Sequence, residues 1–302
     1  MNTKSAVLSL ITDESDYQLE EAVEAERVAQ QLGIRLKVIY AGGDAVTQSQ
    51  QLLDFVFSKT DRPDALIVQP VGTSLAQVAK AAVTAGIGWC LLNRDMEYRD
   101  DLRALGKAPV IEVTTDHFEM GRIQGRQMAA LFPDGDLALY LENPAVSTIA
   151  QQRKAGMLET KPSQMQVRAV RSMWGRHAAI EAVKGFLRLP TSHQLAVNLV
   201  VAQSDTLAMG ARDAFDEIKS TEERQRWLSL PFLGVDGCNR TGKVWTDKGL
   251  LRATVRMPML SGVALDLFNR ALHGTQVEPR KLIMPESYPA LGTLRPMHTA
   301  VH

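Results

Sequence analysis

Ala65-Leu66-Ile67-Val68-Gln69-Pro70 and Leu199-Val200-Val201-Ala202-Gln203-Ser204-Asp205 are two apolar runs that stop alike, on a glutamine and a polar turn. Each is followed by a segment of helical period and then by a second apolar run. The first of these closes on Leu91-Leu92-Asn93-Arg94-Asp95, and the second is Phe232-Leu233-Gly234-Val235-Asp236-Gly237. A strand buried in a parallel sheet reads as a continuous apolar run, and its carboxyl end is where an open α/β sheet receives ligands. The chain therefore reads as two similar α/β halves, each presenting polar side chains at its strand ends. That arrangement suits a small molecule held in a cleft between two lobes.

Outward from these runs, strand-like and helix-like segments alternate almost without break. Ala6–Ile11 is a strand, Tyr17–Leu32 a helix closed by Gly33, Ile34–Tyr40 a strand and Ala45–Phe57 a helix. Ser74 is a suitable N-cap for a helix whose Leu75, Val78, Ala79, Ala82 and Val83 fall on one face, ahead of a strand over Ile87–Leu92. In the second half Asp116-His117-Phe118-Glu119 reads as a capping box opening a helix to Leu131. Strands over Leu137–Leu141, Val167–Arg171, Val197–Ala202, Phe232–Val235, Leu251–Val255 and Leu282–Met284 follow. Helices over Ser147–Leu158, Arg176–Leu187, Thr206–Ile218 and Met259–Leu272, with a short one near Lys243, separate them. The pattern predicts an α/β fold of two Rossmann-like, doubly wound parallel sheets. The segment after Val255 supplies a helix and a strand that the first set lacks. One lobe is thus expected from 1–113 plus 257–284 and the other from 114–256 plus 285–302, with crossings near Thr114, Val255 and Pro285.

Composition narrows the function classes. The 302 residues allow each half its own core, and 45% hydrophobic with 23% charged residues is ordinary globular usage. Thirty-four basic residues balance 34 acidic ones, so no net field draws nucleic acid or an anionic membrane. Cys90 and Cys238 sit in or beside apolar strands and have no metal-ligand spacing. The apolar stretch Ala6–Ile11 is cut off by Thr12-Asp13-Glu14, one strand length and too short for the core of a secretory signal. No window reaches the roughly 18 apolar residues of a membrane span. As written, the chain is expected in the cytoplasm, or in the periplasm if a leader was removed, with no insertion into a membrane.

Several short stretches then stand in a telling order: Ile67-Val68-Gln69-Pro70, Gly86-Ile87, Leu92-Asn93-Arg94, Thr115-Asp116 with Gly121 and Gly125, and Arg153-Lys154-Ala155-Gly156-Met157. After them come Ala202-Gln203-Ser204-Asp205 with Ala208-Met209-Gly210-Ala211, Gly234-Val235-Asp236-Gly237, and Gly249-Leu250-Leu251-Arg252-Ala253-Thr254-Val255. From about Ala6 to Met284 the chain resembles the type I periplasmic sugar-binding proteins and the effector domains of LacI-type regulators. The resemblance implies two Rossmann-like lobes joined by three hinge crossings and closing over a ligand. It also implies site residues. Arg94 and Arg153 match arginines that bond ligand hydroxyls, Asp236 a ligand-binding aspartate, and Ser204 a usual asparagine. Asn93 stands where the family more often has aspartate. Trp174 lies where an aromatic ring often stacks on the sugar, and Tyr17 in the first loop, which also supplies contacts. Gly72 replaces a frequent aspartate and Met257 a frequent glutamine, which argues against an ordinary pentose or hexose.

Residue chemistry points the same way. Hydroxyl-rich ligands need fixed donors and acceptors, which an Arg–Asp set provides, and a tryptophan face packs on the C–H face of a sugar. The competing readings are a solvated arginine for Arg94 and Arg153 and a packing role for Trp174. Gly237-Cys238-Asn239-Arg240-Thr241-Gly242-Lys243 matches G-x-x-x-x-G-K of a nucleotide loop, but Val244 stands where a Ser or Thr hydroxyl must hold magnesium. His117, His177, His193, His273, His298 and His302 are scattered, and no nucleophile elbow or metal-spaced pair occurs. No enzyme, cofactor or metal is expected. The expectation is a binding protein for a small polar metabolite, a carbohydrate or derivative, serving an ABC permease. The alternative is a cytoplasmic sensor or LacI-type effector domain that signals through a partner protein. Such regulators read DNA through an N-terminal helix-turn-helix, whereas this chain starts at its first strand and is not expected to bind nucleic acid alone.

Overall fold

The computed structural model describes residues 3–72, 75–143 and 148–297. In chain order the elements begin β1 (Ser5–Leu10), α1 (Asp16–Leu32), β2 (Arg35–Tyr40), α2 (Ala45–Phe57), β3 (Ala65–Val68), α3 (Ala76–Thr84), β4 (Gly88–Leu92), α4 (Arg99–Ala104) and β5 (Val110–Thr115). They continue with α5 (His117–Leu131), β6 (Leu137–Glu142), α6 (Thr148–Thr160), β7 (Gln166–Arg171), α7 (Arg176–Leu187), β8 (Val197–Ala202), α8 (Asp205–Asp216) and α9 (Thr221–Leu228). The last are β9 (Phe232–Asp236), α10 (Gly242–Asp247), β10 (Ala253–Arg256), α11 (Ser261–Leu272), β11 (Arg280–Ile283) and β12 (Glu286–Tyr288).

The chain divides into two units. The first comprises Met1–Thr115 and Pro258–Ile283, the second Asp116–Met257 and Met284–His302, so the backbone passes from one to the other three times. The first unit holds the sheet β11-β5-β4-β3-β1-β2, parallel throughout. The second holds β12-β10-β9-β8-β6-β7, parallel except for the antiparallel edge strand β12. The strand orders are the same when β6 to β10 are set against β1 to β5. Each is a doubly wound order with a switch point at its first strand, and the crevice at such a point receives ligands. The α/β class and the duplicated parallel sheets are as the alternation predicts.

Both faces of each sheet are covered, which is why the central strands carry no alternation. In the first unit α1 and α11 bury one face around Leu8, Leu10, Ile67 and Phe268, and α2 and α3 bury the other around Leu66, Val68 and Trp89. In the second, Phe215 stacks flat on Trp227, ring centroids 4.6 Å apart, beneath α7 and α8, while α5 covers the opposite face with Met128 and Leu131. At roughly 25 cal/mol per Å² of apolar surface, these four layers supply most of the folding drive.

The elements β5, α4, α9 and β12 do not stand in the sequence reading. Strand β5 escapes the apolar pattern because Glu112 breaks its apolar run, an acid buried to 1% exposure because Arg99 and Arg280 both pair with it. Helix α9, Thr-Glu-Glu-Arg-Gln-Arg-Trp-Leu, is polar on all but the Trp227 side and shows little helical period. Tyr17 stands in the first turn of α1, as the helical reading of Tyr17–Leu32 has it, and not in the preceding loop where the resemblance places it. Ser74 and Ser147, expected at helix starts, lie outside the described residues.

Candidate functional site

Arg153 owes its position to three glycines. A Cβ at Gly121 of α5 would meet the Arg153 carbonyl oxygen at 2.0 Å, and one at Gly156 of α6 would meet the Phe118 carbonyl oxygen at 2.0 Å. Gly125 abuts Thr160 in the same way. The two helices therefore pack backbone to backbone, closer than side chains permit. This seats Arg153 at 4% exposure beside the carboxyl end of β8, where its Nη1 donates to the Gln203 carbonyl at 2.6 Å and its Nη2 to Met257 Sδ at 3.6 Å. Its guanidinium lies 3.7 Å from Asp236 Oδ1. Gln203 is itself saturated: it accepts from the Asn143 N–H and donates to Tyr140 Oη and the Ala150 carbonyl.

Asp236 ends β9 with φ of 113°, a conformation that costs a non-glycine residue about 1–3 kcal/mol unless its surroundings fix it. Two bonds do so. The Met257 N–H donates to the Asp236 carbonyl at 2.8 Å, and the next residue, Gly237, donates its N–H to Asp205 Oδ2 at 2.7 Å. Asp205, fully buried at the first turn of α8, also accepts from Thr254 Oγ1 of β10 at 2.6 Å. Its carboxylate fills a slot whose walls are Gly234 and Gly242, since a Cβ on either would meet its oxygens at about 2 Å. Burial, with Asp236 repulsion second, raises its pKa well above the usual aspartate value. Sequence reading passed over Asp205 as one more polar turn residue; the glycines spaced around it were the available signal.

The slot also bears on the resemblance to a nucleotide loop. A strand, a loop and a helix N-terminus do follow one another at β9 and α10. The Gly237 N–H is taken by Asp205, however, and Lys243 pairs with Asp247 at 2.6 Å. A side-chain carboxylate sits where a phosphate would need to approach.

The remaining expected residues of this unit divide by exposure. Ser204 is buried and caps α8, its Oγ accepting from the Leu207 N–H, so its hydroxyl already has a structural duty. Met257 is buried against Arg153. Trp174 follows β7 in the turn before α7 and is 43% exposed, the neighbouring Gly175 having φ of 113°.

In the first unit Asn93 and Arg94 follow β4, the strand equivalent to β9, and Asn93 likewise has positive φ, 59°, which asparagine tolerates. Its Oδ1 is buried without a hydrogen-bond partner, and so is Gln69 Oε1 at the end of the adjoining β3. Gln69 was not singled out as a site residue, although the two apolar runs both end on glutamine. The half-buried Arg94 makes no hydrogen bond or ion pair with any described residue of its unit, and burial lowers its pKa. The turn that carries it is fastened from below: Glu112 accepts from the Met96 N–H at 2.9 Å, and Arg280 bridges Glu112 and Asp95. Tyr17 is buried and donates its hydroxyl to Glu21, which in turn accepts the N–H groups of Leu260 and Ser261 at the start of α11. Gly72 has open space beside it apart from Ala45.

Residues 6–274 match the family model described as periplasmic binding protein domain. No curated protein matches the chain by sequence. Among solved structures, an ABC transporter periplasmic solute-binding protein from Actinobacillus succinogenes with bound D-allose is 18% identical, with TM-score 0.80, over 94% of this chain and 97% of that one. The periplasmic binding component of an arabinose ABC transporter from a Shewanella species, bound to α- and β-L-arabinofuranose, is 24% identical, with TM-score 0.77, over 93% and 89%. The fructose-binding periplasmic domain of a hybrid two-component system is 19% identical, with TM-score 0.75, over 94% and 90%.

Proposed function

The chain belongs to the periplasmic binding protein domain family, and from that membership we propose that it binds a small polyhydroxylated metabolite, a carbohydrate or derivative, without transforming it. The observation that carries the reading is the Arg153–Asp236 pair at the strand ends of the second unit. It offers fixed donors and acceptors side by side, and the positive-φ Asp236 is held in place by the Met257 N–H and, through Gly237, by Asp205. Such a pair recognises vicinal hydroxyls, which both donate and accept. In this proposal Asn93, Arg94 and Gln69 of the first unit supply further polar contacts to the ligand, and Trp174 stacks on its C–H face.

The role we infer is that of receptor for an ABC importer, the role of the D-allose and arabinofuranose binders. A second reading, a sensory domain acting through a signalling partner, is favoured by the likeness to the fructose-binding domain. Among the described residues no helix is long and apolar enough to cross a membrane. A thermal-shift screen over sugars, sugar acids and polyols tests the reading. Ligand at 100 times its Kd adds about 2.7 kcal/mol to stability. If no carbohydrate of any class raises the melting temperature, the reading fails. Capture of a permease or of a kinase by the liganded chain then decides between the roles.

A further inference from the structure

The two units repeat one strand order, so their strand ends can be compared position by position, and they differ in what is satisfied. In the second unit Gln203 uses both ends of its amide, and Asp236 faces Arg153. In the first unit the equivalent glutamine, Gln69, and the equivalent strand-end residue, Asn93, are 5% and 4% exposed, and each leaves a buried oxygen without a partner. Arg94, next to Asn93, has no carboxylate of its own unit within 4.0 Å, although every aspartate and glutamate of the chain is among the described residues. Asp95, its neighbour in sequence, is taken by Arg280 at 2.7 Å. Buried polar groups are nearly always paired in native proteins, and a partly buried cation without an anion is costly. These three groups are adjacent in the register, since Val68 of β3 lies opposite Leu91 of β4.

We propose that the ligand is a sugar acid, whose carboxylate sits on the fork of Arg94 while its hydroxyls satisfy Gln69 and Asn93. The inference rests on the carbohydrate-binding reading and sharpens it. One guanidinium matches one carboxylate bidentately. A phosphate monoester, with nearly two charges, asks for more donors than one arginine. A neutral sugar would leave the Arg94 charge without a counter-ion in a partly dehydrated place.

The test uses matched pairs: D-galacturonate and D-galactose, D-glucuronate and D-glucose, D-gluconate and D-glucitol, D-arabinonate and D-arabitol, with D-ribose 5-phosphate added. Each is titrated by calorimetry against the full chain and against Arg94→Gln, which removes no bond within the unit and should melt normally. At least one acid should bind 30-fold or more tighter than its neutral partner, and Arg94→Gln should bring the two within threefold. If neutral sugars bind as well as acids, and the variant weakens both alike, the acid inference is overturned while carbohydrate binding stands. Preference for the phosphate ester also overturns it. Binding of neither member of any pair overturns both readings.

Discussion

Asp205 accepts the N–H of Gly237 at 2.7 Å and so fixes the backbone one residue beyond Asp236. Asp205 is itself buried too deeply to be reached, so its effect on a ligand passes through the turn it holds. Asparagine at this position can still accept from Gly237 and donate to Thr254. Asp205→Asn should therefore cost about 1 kcal/mol or less and leave affinity within a few fold. Asp205→Ala strands both partners in a slot walled by Gly234 and Gly242. It should cost about 2–4 kcal/mol and weaken binding by tenfold or more. Melting temperatures and titration of a confirmed ligand check both. Equal affinities for the two variants would mean that the Gly237 turn does not need this bond.

The same carboxyl makes stability depend on pH. Its pKa in the folded chain is raised above the ordinary 3.8, by burial first and by Asp236 second. The folded state therefore holds the proton more tightly than the unfolded one. The stabilisation is fully present below 3.8 and is lost as pH rises through the folded pKa. The melting temperature of the parent relative to Asp205→Asn should fall as pH is raised above the ordinary aspartate value and level off once the folded carboxyl has ionised. A difference that stays flat, or grows with pH, would show that Asp205 folds as an ordinary carboxylate.

Close helix packing gives a paired prediction. Gly156→Ala would place a methyl 2.0 Å from the Phe118 carbonyl oxygen, forcing α5 and α6 apart. It should cost about 3 kcal/mol or more, the upper range for overpacking, and shift Arg153 with it. Gly185 in α7 is exposed with nothing within 4 Å of an added Cβ. Gly185→Ala should instead stabilise by about 0.5–1 kcal/mol through helix propensity. Urea denaturation of the two variants gives the comparison directly.

Much of this was legible because apolar strands that end abruptly mark their own carboxyl ends. Asn93, Arg94, Ser204 and Asp236 could be placed at strand ends from that pattern alone. What could not be read was burial and pairing. Ser204 looks free in sequence and is a helix cap. Tyr17 looks available and is committed to Glu21. Asp205 looks like a turn residue and is the deepest acid of the second unit's site. Gly121, Gly125 and Gly156 stand among the stretches that carry the family resemblance, yet their meaning requires knowing that α5 faces α6. Polar segments whose burial is satisfied by ion pairs, such as β5 around Glu112, escape hydrophobic patterning altogether.

Arg153 and Asp236 form one pair but should respond differently to substitution, and the structure explains why. Arg153 is buried and donates to the Gln203 carbonyl, so Arg153→Ala leaves both that oxygen and Asp236 uncompensated. A lost charge-assisted bond to a buried group costs about 1.5–3 kcal/mol of folding stability, so both melting temperature and affinity should drop. Asp236 is partly exposed and ends its strand at positive φ, a geometry that asparagine tolerates better than most residues. Asp236→Asn should therefore melt within about 1 kcal/mol of the parent while losing about 2–4 kcal/mol of binding, roughly 30- to 1000-fold. Titration of a confirmed ligand, with unfolding as the control, separates the two. If Asp236→Asn binds within threefold of the parent, the ligand does not rest on this pair and the site lies elsewhere.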